Sequence, residues 1–153
     1  MLVWSVAKAD RSAGGASKRR LTERDIQLLR AHIRSDKKQI IAEKLNLTDT
    51  QARRFWPVYD AYTRETTKLT DSRYAIIKEF ARFYETMTDA RADNLVQRMA
   101  ELDEQVQTLR KQWIQHFRTA LTGKQMAMFF QLDRRMNLVI DLQIAAEMPL
   151  VKN

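Results

Sequence analysis

The 153-residue chain contains no cysteine, three glycines, two prolines and two histidines. Without cysteine there is no disulfide framework and no thiolate chemistry, and redox compartment cannot be read from thiols. His32 and His116 are too few for a histidine-rich metal site within one chain. The glycines cannot cradle a phosphate, because Gly14 and Gly15 stand in a polar tail and Gly123 opens a helix. No run of eighteen apolar residues occurs, so no segment reads as a membrane-spanning helix. Catalytic residues are missing as well: acid pairs such as Glu101 with Glu104 sit among polar residues and read as a solvated helix face. The expectation is a non-enzyme without metal or cofactor.

What remains is rich in Ala, Leu, Gln, Glu, Lys and Arg, a composition that favours helix nearly throughout. The net charge of +8 is unevenly placed. Residues 1–20 carry Lys8, Arg11, Lys18, Arg19 and Arg20 against Asp10 alone, which gives +4 and leaves +4 for the other 133 residues. With "SAGGASKRR" inside it, this stretch reads as a disordered basic leader. Its first residues, "MLVWSVAKAD", combine a short apolar run with Ala7-Lys8-Ala9, the small-x-small pattern of signal-peptide cleavage. They are expected to be the remnant of an export signal, followed by one all-helical domain over 21–147 and a tail over 148–153.

"LTDTQ" at 47–51 returns 74 positions later as "LTGKQ" at 121–125. Threonine followed three residues on by glutamine is a capping box. The threonine hydroxyl accepts from the backbone N–H of the glutamine, whose side chain reaches back to the threonine N–H. Leu47 and Leu121 precede the caps, placed to staple onto Ala52 and Met126. Thr48 with Gln51 and Thr122 with Gln125 are therefore expected to begin helices, each cap contributing about 1 kcal/mol. Leu21-Thr22 and Met87-Thr88 are weaker versions of the same device.

Four starts predict four helices, about 23–45, 49–84, 89–120 and 123–146, with "LTDSR" at 69–73 read through. The third carries a heptad-like seam from Leu95 through Met99, Leu102, Val106, Leu109 and Trp113 to Phe117. The second aligns Phe55, Tyr59, Tyr62, Thr66, Leu69, Ile76 and Phe80, with Arg73 interrupting. The first offers Ile26, Leu29, Ile33, Ile40 and Ile41. The fourth is apolar over a wide arc, which predicts burial on more than one side. Pro57 removes one backbone bond from the second helix and is expected to kink it. A helix of 35 residues is about 52 Å long, so the expected shape is an elongated hairpin, completed by a homodimer that buries the remaining apolar surface.

The stretch "IIAEKLNLTDTQARRFW" (40–56) is similar to the helix-turn-helix of bacterial regulators. Ala42 stands at the tight-packing position, Asn46 at the turn, and Arg53 and Arg54 where phosphates or bases are reached. The second helix would nevertheless run on for some thirty residues through a proline, and charge outside the leader is near balance. Nucleic acid is not the expected partner.

Two LTxxQ phrases in a small, all-helical, cysteine-free chain resemble the Spy/CpxP family of periplasmic proteins. The resemblance spans roughly residues 40–150 and includes "LNLTDTQARRFWPVYDAY" and "LQIAAEMPLV". It implies a long-hairpin fold, a cradle-shaped antiparallel dimer, periplasmic location and ATP-independent binding of unfolded clients. A second reading, also from the resemblance, is an envelope-stress sensor that binds one membrane-anchored partner. The residues expected to meet clients are Arg53, Arg54, Arg134 and Arg135, because both pairs follow a capping box shortly. Cationic and apolar side chains together give loose, sequence-tolerant contact.

Overall fold

Helices begin at the threonines that the sequence marks for them. The computed structural model describes residues 23–147, so the readings of the leader, of the Leu21-Thr22 cap and of the tail lie outside the described residues. Within them the fold is all-α: α1 (Glu23–Leu45), α2 (Asp49–Phe83), α3 (Asp89–Arg118) and α4 (Gly123–Glu147), with a single 3-10 turn at Tyr84–Thr86. Thr48 accepts from the Gln51 N–H at 3.2 Å while the Gln51 side chain accepts from the Thr48 N–H at 3.1 Å. At α4 the same exchange joins Thr122 and Gln125, at 3.3 and 3.0 Å. Thr88 caps α3 by accepting from the Arg91 N–H at 3.3 Å. The helix passes through "LTDSR" unbroken, as expected.

α1 stops where Asn46 turns left-handed, with φ of +45°. A short amide side chain tolerates that region far better than a β-branched one, and it is the usual way to end a helix when glycine is absent. Pro57 lies within α2, which continues through it from Asp49 to Phe83. It sits on an exposed position, where water can reach the Arg53 carbonyl that the proline nitrogen cannot serve.

The core is in two parts. Where both corners of the chain meet, Ile41 and Leu45 of α1, Phe55, Tyr59 and Tyr62 of α2, Phe117 of α3, Ala120 and Leu121 of the second corner, and Phe129 of α4 form one buried cluster. It is dominated by rings: Phe117 and Phe129 stand 4.5 Å apart centre to centre, and Phe55 meets both within 5.8 Å. Farther along, Ile76, Leu95 and Leu102 form a smaller aliphatic cluster with Leu69, Phe80, Met87 and Met99 against it. The molecule is thus a four-helix head with the α2–α3 hairpin running on as a stalk. Arg73, which interrupts the α2 stripe, pairs with Asp103 of α3 at the stalk's edge. The α3 seam is buried or half-buried at every expected position.

Two expectations change. Ile41 is fully buried but its neighbour Ile40 is exposed, and Leu45 takes the second core position in that turn. The wide apolar arc of α4 is covered on one side only among the described residues: Leu138, Val139 and Leu142 are 52%, 56% and 71% exposed. An arc that wide exceeds the angle that α1 and α3 subtend.

Candidate functional site

The two corners touch through their glutamines. Gln51 Nε2 donates to Gln125 Oε1 at 2.8 Å, and Gln125 Nε2 donates to Gln51 Oε1 at 3.3 Å. Each Oε1 also accepts from the N–H of its own cap threonine. The cap fixes which end of each amide is oxygen, so each Nε2 is turned toward the other corner. Gln125 Nε2 also reaches the Leu45 carbonyl at 3.4 Å, serving one of the acceptors that the end of α1 leaves open. A capping box works with glutamate or glutamine. This pair needs a donor and an acceptor from each member, which only glutamine supplies.

Some way down the head, all four helices converge on Asp133, whose surface is 1% exposed. Lys37 of α1 donates to Oδ1 at 2.5 Å and Tyr62 of α2 donates to Oδ2 at 3.1 Å. Asn137, one turn on, donates at 3.4 Å, and Arg110 of α3 stands 3.9 Å away. An isolated carboxylate would not stay charged in such a place; here cations and neutral donors surround it. The Tyr62 phenol is pushed far above its usual value of 10, first by burial and then by the negative charge of Asp133. Burial likewise raises Tyr59. Among the described residues no buried side-chain polar atom lacks a partner.

The six motif residues Leu47, Thr48, Gln51, Leu121, Thr122 and Gln125 come together at this one end. The four arginines do not form one cluster. Arg53 and Arg54 are exposed on the first turns of α2, and Arg134 and Arg135 are exposed on α4, about 14 Å further along its axis than Gln125. Among the described residues no ion pair involves them. His116 is exposed and lies against the Trp113 ring at 4.9 Å, and His32 is exposed. Among the described residues no group of three or more histidine, aspartate or glutamate side chains is arranged to hold a metal ion. An open groove of about 440 Å³ runs between α2 and α3, with Leu69 and Leu109 in its lining and Glu65, Lys68 and Glu104 beside them.

Sequence reasoning missed the hub and the exposed side of α4. Asp133 falls four residues after Phe129 on the inward stripe of α4, Lys37 falls four before Ile41, and Tyr62 follows Phe55 and Tyr59. A polar residue standing in phase with an apolar stripe on three helices was the available signal.

Fold and surface together define a head-and-stalk helical bundle in which, among the described residues, every buried side-chain polar atom has a partner, and four of the six exposed large apolar side chains lie on α4, the others being Ile40 and Val96. Comparison with protein families, characterised proteins and solved structures gives no match.

Proposed function

We propose that this chain binds polypeptides, holding non-native segments loosely and without nucleotide, as a periplasmic chaperone-like protein. The observation that carries the reading is the outward face of α4, where Met128, Leu138, Val139 and Leu142 are exposed together with Arg134 and Arg135. Unfolded chains present apolar side chains and net charge without fixed spacing. A surface offering both on a straight rod engages many of them weakly and releases them fast. The groove between α2 and α3, with leucines and charges of both signs, extends the same kind of surface along the stalk. Compartment and family rest on the likeness of the paired LTxxQ phrases to the Spy/CpxP proteins and on Ala7-Lys8-Ala9.

Light scattering from an aggregating client, with and without the full chain, tests this. Suppression at about two chains per client is expected, and it should fall sharply in Leu138→Asp/Leu142→Asp, whose changes lie on exposed positions and leave the far-UV spectrum unchanged. Equal aggregation with and without the wild-type chain overturns the reading.

A further inference from the structure

We propose that the end of the molecule formed by the two corners docks on an anionic lipid surface, with the stalk standing away from it.

Five exposed cations, Lys44, Arg53, Arg54, Arg118 and Lys124, lie within six residues of the turns at 46–48 and 119–122. Among the described residues none of them enters an ion pair. Lys37, Lys38, Lys68, Arg73 and Arg98, farther from the corners, each meet a carboxylate. The acids in the same two stretches, residues 42–56 and 114–128, are Glu43 and Asp49, so this end carries +3. Gln51 and Gln125, joined at 2.8 Å, hold the corners side by side, so the cations belong to one surface. Four helix ends set together cover about 20 Å in each direction. Side chains on a helix lean toward its N-terminus, which brings Arg53 and Arg54 back toward this end. The far part of the stalk has the opposite sign: residues 84–105 hold six acids against Arg91 and Arg98, which gives −4.

Distance decides which of these charges a surface meets. In physiological salt the Debye length is about 8 Å, so a headgroup layer acts on the docked end and little beyond it. The acidic part of the stalk begins about 20 Å along α3 from Arg118. An anionic surface therefore attracts the corners without being repelled by the tip, and the separated charges stand the rod upright on it.

A bilayer fits this end better than a nucleic acid does. The Gln51–Gln125 contact sets the second corner against the first turn of α2, so that turn cannot enter a major groove about 12 Å wide as a single helix. Phe55, Phe117 and Phe129 are buried and Trp56 lies under Lys38 at 5.0 Å, so these rings give unpaired bases no platform. A layer of headgroups asks only for a broad cationic surface. Docked this way, the outward face of α4 runs along the side of the rod and stays open to clients, so docking and holding are separable.

Co-sedimentation of the full chain with vesicles tests this. At about 50 mM salt, vesicles of about 40% phosphatidylglycerol in phosphatidylcholine should bind the chain at least tenfold better than phosphatidylcholine alone, and about 500 mM salt should remove most of that binding. Lys44→Glu/Arg118→Glu/Lys124→Glu turns the end from +3 to −3 and should lower binding about tenfold or more. Arg24→Glu/Arg64→Glu/Arg82→Glu makes the same change in net charge at exposed positions away from the corners, and should lower it less than about threefold. Lys18→Ser/Arg19→Ser/Arg20→Ser, in the leader, should leave the effect of the corner substitutions intact. A readout that needs no charge change comes from dyes on single introduced cysteines, since the chain has none of its own. Energy transfer to a labelled headgroup should be several-fold stronger from Thr50→Cys than from Thr86→Cys, at opposite ends of the α2 rod.

Equal binding to the two kinds of vesicle, equal losses from the two glutamate variants, a loss confined to the leader variant, or equal energy transfer from the two dyes would each overturn the proposal. So would tighter binding to a short DNA duplex than to the anionic vesicles. A chain that docks but protects no client removes the holding function alone, and one that protects clients without docking removes this proposal alone.

Discussion

Asp133 shows how much one side chain can depend on its surroundings. Its charge is shared among four helices through Lys37, Tyr62, Asn137 and Arg110. The net worth of such a buried pair is small, but breaking it strands a charge. Asp133→Ala is therefore expected to destabilise the fold by about 3–5 kcal/mol, read from urea unfolding, because Lys37 is left facing a cavity. Replacing both members, as in Lys37→Met/Asp133→Leu, should recover most of that loss and can exceed wild type. If the double replacement is as damaging as the single one, the aspartate has a role other than charge balance. The hub was hard to see in the sequence for a physical reason. "QLDRRMN" reads as an ordinary solvated stretch until Asp133 is placed in phase with Phe129, and nothing local says that Lys37, 96 residues earlier, is its partner.

At the scale of elements, the boundaries were the most legible part. The caps of α2, α3 and α4 act within four residues, so the chemistry that starts each helix is written next to it. α2 and α3 closed a little earlier than expected, because a 3-10 turn finishes the first and Thr119 and Ala120 turn back onto the last carbonyls of the second. The meeting of the two corners was not legible, since a capping box is complete without a second one. It has a testable consequence. Gln51→Glu alone keeps its cap and still accepts from Gln125, so it should lie within about 1 kcal/mol of wild type. Gln51→Glu/Gln125→Glu puts two carboxylates where two amides exchanged hydrogen bonds. Its loss should exceed the sum of the singles by about 1 kcal/mol or more in thermal or urea unfolding, a coupling that a simple pair of independent caps would not give. Strict additivity would mean that the glutamines do no more than cap.

For the molecule as a whole, periodicity predicted which faces are greasy but not how many neighbours would cover them. Seven seam positions of α3 found α2 and α4, whereas the outward arc of α4 found nothing among the described residues. The division into an aromatic head and an aliphatic stalk was also beyond the sequence, because both draw on the same two stripes of α2 and α3. Both corners lie at one end, and α2 and α3 are joined covalently only at the other, through residues 84–88. Each half, up to residue 86 and from residue 87, is a bent pair of rods with its own threonine cap, one glutamine of the shared couple and one side of the Asp133 cluster. Co-expressed as separate pieces they should recombine into a single particle that co-purifies and melts as one, and each piece alone should be largely unfolded. The far loop would then be a tether that raises the effective concentration of two partners, and the chain would be, in its logic of assembly, a heterodimer written as one polypeptide.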